Sequence, residues 1–338
     1  MPGVPVKNSG VLSKTEQDKS RIPLFMKSFP LPSPSRSQML SGYLYAVAAA
    51  VLWSLIGPFS KACLAEGIPS MEIAFWRALL GGLCFAAQTA LSGGLRIPLR
   101  HALVFLLFGG WGIGALFGAL QVSIHLSGAA MAMVLLYTAP VWVALTSRIL
   151  FHEAISRKKL AAICVALAGA ALVCFSGGSL PAQYSVPGIA CGLLSGLAFA
   201  SQFPFYMWWS GRYSTGTMYT YMLLGGAVIL LPFVSFAPDV SSGVSSGIVS
   251  GKSWEAWANL LALGILTNYA AYIALARSLH RISQIQTAVI GNLEPVLATL
   301  WVWLFFGENF TLIGWTGCAL VIGAVFLMTV ERKPPPEA

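Results

Sequence analysis

The feature that most constrains this chain is a series of apolar runs, each about twenty residues long, separated by charges, Gly/Pro/Ser clusters and polar turns. A bilayer core about 30 Å thick is crossed by about 20 apolar residues of helix. Ten such runs can be cut, at 40–60, 70–91, 102–123, 127–148, 159–176, 187–210, 215–237, 256–276, 283–306 and 311–330. With 57% hydrophobic and 9% charged residues, the chain has more apolar surface than a soluble globule could cover. The expectation is an all-α integral membrane protein of ten transmembrane helices.

The charges test that division. Ten crossings leave both ends on one side and assign alternate loops to opposite sides. Of the 20 Lys and Arg residues, 17 fall in the tails and loops of the terminal side, only Lys61 and Lys252 fall opposite, and Arg77 lies within the second run. Such asymmetry places both termini in the cytoplasm and the protein, multi-pass, in the cell membrane. It also accounts for the formal charge of +9 through topology, so no nucleic-acid partner is inferred. Residues 1–38 are rich in Pro, Ser and basic residues, lack the apolar core of a signal peptide, and read as a disordered basic tail, with 332–338 as a short C-terminal one. Five of the six cysteines lie inside apolar runs without metal-binding spacing, so neither metal, cofactor nor disulfide is expected.

Two of the runs are alike. Residues 137–153 read YTAPVWVALTSRILFHE and 292–308 read NLEPVLATLWVWLFFGE; one offset of 155 places Pro140 on Pro295, Phe151 on Phe306 and Glu153 on Glu308. Past the glutamates, a one-residue slip is needed to bring Gly169 onto Gly323. The two runs cross in opposite directions, so the chain reads as two inverted five-helix repeats, 39–180 and 181–331. Inverted repeats of this kind build secondary transporters, whose site lies near the midplane between the halves and opens alternately to either side.

These segments resemble the drug/metabolite transporter superfamily, in particular permeases with two EamA-type domains. The resemblance rests on LYAVAAAVLWSLIGPFSKACLAEG from Leu44 to Gly67, on Arg77 within EIAFWRALLGG, and on the APV…HE and LEPV…GE motifs in their order. It implies ten helices, cytoplasmic termini, and export or exchange of a small organic solute such as an amino acid, amine, sugar or drug-like compound. His152, where such a half more usually carries Gly before its Glu, and the long basic tail depart from the pattern.

Glu294 is the leading site candidate. It falls about ten residues, or about 15 Å, into the ninth run, where burying a charge costs roughly 2.5–3.5 kcal/mol. A carboxyl group there could take up a proton on one side of a transport cycle and release it on the other, or serve as a protonated structural acid near the Pro295 kink. Pro295 and Pro140 each remove a backbone donor at matching depth, freeing polar backbone in both halves or merely shaping a static kink. Under the offset Tyr137 matches Asn292, so one half offers an aromatic ring where the other offers an amide. Arg77 could meet a substrate carboxylate, pair with Glu72 or snorkel outward. Trp53, Gln202, Phe203, Tyr206, Asn268, Tyr269 and Tyr272 complete the candidates as aromatic walls with a few amides, the make-up of an organic-solute pocket. Each aromatic taken singly also suits helix packing or the interfacial belt, to which Trp208, Trp209 and Trp254 are assigned. Glu153 and Glu308 read as architectural, capping the helices that follow.

An enzyme would need a nucleophile with its base, a metal set or paired carboxylates. The chain has no HExxH, no GxSxG, no Walker A sequence and no second deep acid near Glu294. A channel would carry charge rings or a filter sequence. A receptor or scaffold working through the basic tail, and a nucleotide-sugar or sugar carrier of the same fold, are the alternatives; a nucleotide sugar would call for a more basic cavity than Arg77 alone supplies. The expected partners are an organic solute, membrane lipid and protons.

Overall fold

The computed structural model describes residues 35–176, 185–236, 252–306 and 311–330. Among these there is no strand. The ten runs appear as α1 (Arg36–Ala65), α2 (Ser70–Leu91), α3 (Leu99–Ser127), α4 (Ala129–Phe151), α5 (Arg157–Ser176), α6 (Val186–Trp209), α7 (Thr215–Phe236), α8 (Trp254–Leu279), α9 in two pieces (Gln284–Gly291 and Leu293–Phe306) and α10 (Leu312–Val330). Apart from the divided α9, these runs are long and apolar enough to cross a membrane. The first helix starts earlier than the apolar pattern suggests, at Arg36. Ser35 accepts from the Gln38 amide while the Gln38 side chain returns to the Ser35 amide, a reciprocal cap that the basic-tail reading overlooked. The rest of that tail, residues 1–34, lies outside the described residues.

Proline sets the breaks. Pro58, Pro140 and Pro295 cannot donate to the carbonyls four residues upstream, and α1, α4 and α9 are interrupted at Leu55, at Tyr137–Thr138 and at Asn292. At the break in α4 the Thr138 amide and hydroxyl both donate to the Leu135 carbonyl, at 3.2 and 2.6 Å, forming a tight turn there. Two further departures have no proline behind them. Gly110–Ala115 in α3 and Leu263–Ala270 in α8 are wound as π-helix. The offset of 155 carries the first onto 265–270, inside the second, so the wide turn is duplicated along with the repeat. A π-turn leaves backbone groups out of register with the α ladder and available to neighbours.

The halves are interleaved rather than side by side. Across the pseudo-twofold axis α2 packs on α7, α4 on α9 and α5 on α10. The remaining partnerships come in exchanged pairs: α1 with α8 and α6 with α3, α2 with α8 and α7 with α3, α1 with α9 and α6 with α4. Contact is close where small residues allow it; a Cβ on Gly109 would lie 2.0 Å from the Met222 carbonyl oxygen of α7. Leu107, Leu160, Val228, Leu312 and Phe326 are exposed on the outer surface, as lipid-facing positions should be. Glu153 pairs with Lys159 at 2.9 Å, while Ser156 takes the capping role by accepting from the Lys159 amide. That corrects the assignment of Glu153 as the cap; Glu308 lies outside the described residues.

Candidate functional site

The breaks and π-turns converge on one region midway along the helices. Arg77 on α2 is 8% exposed, its guanidinium 4.8 Å from the Phe117 ring centre of α3 and 3.4 Å from Asn268 Oδ1 of the α8 π-turn. Asn268 Nδ2 returns a hydrogen bond to the Arg77 carbonyl at 2.7 Å, locking α2 to α8. On the other half's side, Gln202 of α6 donates to the Gly112 carbonyl of the α3 π-turn at 2.8 Å. Each π-turn thus holds one polar side chain of the site. Glu294, just past the break in α9, is half-buried as a residue, and its carboxyl lies near both Arg77 and the Tyr137 hydroxyl at the break in α4. Pro140 and Pro295 are buried at those breaks.

An aromatic wall closes the region. Trp53 meets Tyr272 edge-on at 6.0 Å and Phe199 at 5.6 Å; Tyr272 stacks on Tyr219 at 4.6 Å, and Tyr219 stacks in turn on Phe85 and Tyr206. Tyr206 stands at the terminal-side end of this stack, bonded through its hydroxyl to Thr215 at 2.7 Å and to His280 Nε2 at 3.0 Å. Burial and the neighbouring Arg281 hold the His280 imidazole below its ordinary value, which keeps it neutral toward Tyr206.

Eight buried side-chain polar atoms have no hydrogen-bond partner among the described residues, and four belong here: Arg77 Nε, Gln202 Oε1, Tyr219 Oη and Asn292 Nδ2. They come from α2, α6, α7 and α9. A buried orphan polar group costs about 1–3 kcal/mol, so four in one region beside an aromatic wall form a polar lining that the described residues do not satisfy.

Of the residues singled out in the sequence, Trp53, Tyr137, Arg77, Gln202, Asn268, Tyr272, Asn292 and Glu294 come together in this region. Phe203, 1% exposed, packs on Phe199 behind the wall, and Tyr269 packs on Phe85. Glu72 does not pair with Arg77. Its carboxylate takes Lys252 at 2.6 Å and the Trp76 indole at 3.1 Å, at the end of the bundle away from the termini, with both charged side chains only 3% exposed. Trp209 packs against His101, Phe105 and Tyr213 rather than standing in a belt, whereas Trp208 and Trp254 are exposed. Phe117, Tyr219 and Lys252 were missed. The four glycines at 109, 110, 112 and 114 were the available hint of unusual winding; Lys252 carried none.

On the opposite, terminal side of the bundle, a cavity of about 300 Å³ is lined by Phe85, Thr89, Ser214, Gly216 and Arg277 among others. Phe85 forms part of both that cavity and the tyrosine stack.

Residues 40–175 and 186–330 each match the model of the EamA-like transporter family, together most of the chain. The chain belongs to that family. Similar proteins include the uncharacterized transporter YdfC of Bacillus subtilis (strain 168), 26% identical over 81% of this chain and 86% of its own length. An uncharacterized transporter of Archaeoglobus fulgidus is 25% identical over 84% and 96% respectively. A solved crystal structure superposes with a TM-score of 0.70 at 21% identity, covering 88% of this chain and 98% of the other, which supports the fold. The EamA chain is accordingly a multi-pass integral membrane transporter of a small molecule.

Proposed function

We propose that this protein is a secondary exporter or exchanger of a small organic metabolite, such as an amino acid, amine or drug-like compound, working by alternating access with both termini cytoplasmic. The observation that carries the reading is the set of four buried polar atoms, without hydrogen-bond partners among the described residues, in the region walled by Trp53, Tyr219 and Tyr272. A solute with an apolar body and a few polar groups would satisfy them and gain the desolvated contact of the rings. Arg77 would meet its anionic or carbonyl end, and Glu294 with Tyr137 its amine or a coupling proton. A single buried guanidinium at the centre favours a weakly anionic solute over a nucleotide sugar.

The two ends of the bundle differ in a way that fits the cycle. The Glu72–Lys252 pair closes the end opposite the termini, and the cavity beside Phe85 lies at the terminal end, so the conformation reads as inward-facing. The 17 basic residues on the terminal side support the cytoplasmic orientation. The halves would rock about the breaks at Tyr137–Thr138 and Asn292.

The test is counterflow in proteoliposomes with labelled amino acids, amines and sugars, run with and without a pH gradient. Saturable counterflow of one class, lost in Arg77→Met, is the expected result. Absence of flux for every class with folded protein would sink the assignment.

A further inference from the structure

We propose that the terminal-side cavity, adjoining the tyrosine stack, is a second binding site that takes a phosphate or carboxylate group. The cavity, about 300 Å³, is lined by Phe85, Gln88, Thr89, Ser92, Ser214, Thr215, Gly216, Ile273 and Arg277, none of them acidic. That volume is at the lower end of small-ligand sites. It sits between the end of α2, the start of α7 and the end of α8.

Three features give it anion chemistry. The 22-residue helix α7 begins at Thr215 on the cavity wall, so the Thr215 and Gly216 amides are first-turn donors without intrahelical acceptors, at the positive end of the helix dipole. The next amide, of Thr217, is already taken by the Ser214 hydroxyl at 3.1 Å, leaving the first two for a ligand. Arg277 contributes a guanidinium from α8, lying over the Tyr45 ring at 5.4 Å. The independent observation is Thr89, a residue of the cavity wall that is 1% exposed and whose Oγ1 has no hydrogen-bond partner among the described residues. A hydroxyl so buried should have found one. Gly216 faces that hydroxyl closely at the start of α7, since a Cβ there would stand 2.5 Å from Thr89 Oγ1. An oxyanion accepting from the Thr89 hydroxyl, the two amides and Arg277 satisfies all of them.

Phe85 and Thr215 also touch the tyrosine stack, but Thr89 and Arg277 are not among the residues of the Arg77–Glu294 region, so this site can be tested through them without knowing the transported solute. The full-length protein in neutral detergent is titrated with inorganic phosphate at constant ionic strength while thermal unfolding is followed. A parallel series compares nanodiscs with and without phosphatidylglycerol. Thr89→Val keeps the shape and removes the hydroxyl; Arg277→Gln removes the charge. Stabilisation by phosphate, with the half-saturating concentration raised at least about tenfold in each variant, supports a free anion as ligand. Stabilisation by phosphatidylglycerol alone, lost in both variants, supports a lipid headgroup as its source. No stabilisation from either probe, or stabilisation equal in wild type and both variants, overturns the proposal.

Discussion

Replacing Lys252 by Met should open the end of the bundle that the Glu72–Lys252 pair closes. The two side chains are each 3% exposed and 2.6 Å apart, so the substitution leaves a buried carboxylate without its cation. Breaking such a pair costs about 3–5 kcal/mol. Two features reduce that figure: the Trp76 indole still donates to Glu72 at 3.1 Å, and Glu72 sits in the first turn of α2, where an acid gains about 0.3–1 kcal/mol from the helix dipole. A net loss of about 2–4 kcal/mol in the closed form remains. Since each 1.4 kcal/mol is a factor of ten, the open population should rise by about thirtyfold to several hundredfold. Hydrogen exchange in nanodiscs reads this directly, because amides at the starts of α2 (Ser70–Leu91) and α8 (Trp254–Leu279) should lose protection by a similar factor. The double variant Glu72→Gln/Lys252→Met, which leaves no charge, should recover most of the protection. The reasoning is refuted if a folded Lys252→Met protein exchanges at both helix starts as slowly as wild type.

Four other outcomes are expected. Glu294→Gln should leave counterflow measurable while abolishing its response to a pH gradient; an unaltered response removes Glu294 from coupling. Arg77→Lys should raise the half-saturating solute concentration at least about tenfold, because an ammonium cannot reproduce the planar contacts to Phe117 and Asn268, and unchanged saturation would show that Arg77 is structural. His280 has a folded value below its ordinary one, so above about pH 6.5 it contributes nothing, and as the pH falls below that range the unfolded chain binds more protons and stability is lost. His280→Asn should flatten this acid limb of a thermal-unfolding profile. Gly109→Ala should sharply lower the folded yield in detergent, as its Cβ would fall 2.0 Å from the Met222 carbonyl oxygen, and normal yield with an unshifted melting point would contradict that close approach.

Much of the fold was readable because a bilayer reduces the problem to one dimension. Run length sets the helices. Pro140 and Pro295 marked two breaks for the same reason: a missing amide donor is a local property of the chain. Arg77 and Glu294 stood out because ionisable groups are rare inside apolar runs. The repeat, visible at an offset of 155, even anticipated that the breaks in α4 and α9 would correspond.

Partnership is different, since it depends on which helix faces come together. Nothing near Glu72 indicated Lys252, 180 positions away, and Arg77 suited a substrate carboxylate, Glu72 or snorkelling outward, whereas packing sets it against Asn268. The paired π-turns were hidden because their gain lies in the Gly112 carbonyl offered to α6 and the Asn268 side chain offered to α2, not in local propensity. Which polar atoms stay unsatisfied is a property of the packed bundle alone. The chain's own residues thus dictate a ten-helix membrane protein with breaks at its prolines, whereas the polar lining of its centre, the closed end and the cavity beside Thr89 exist only once the halves interleave, because each is made from helices that the sequence keeps far apart.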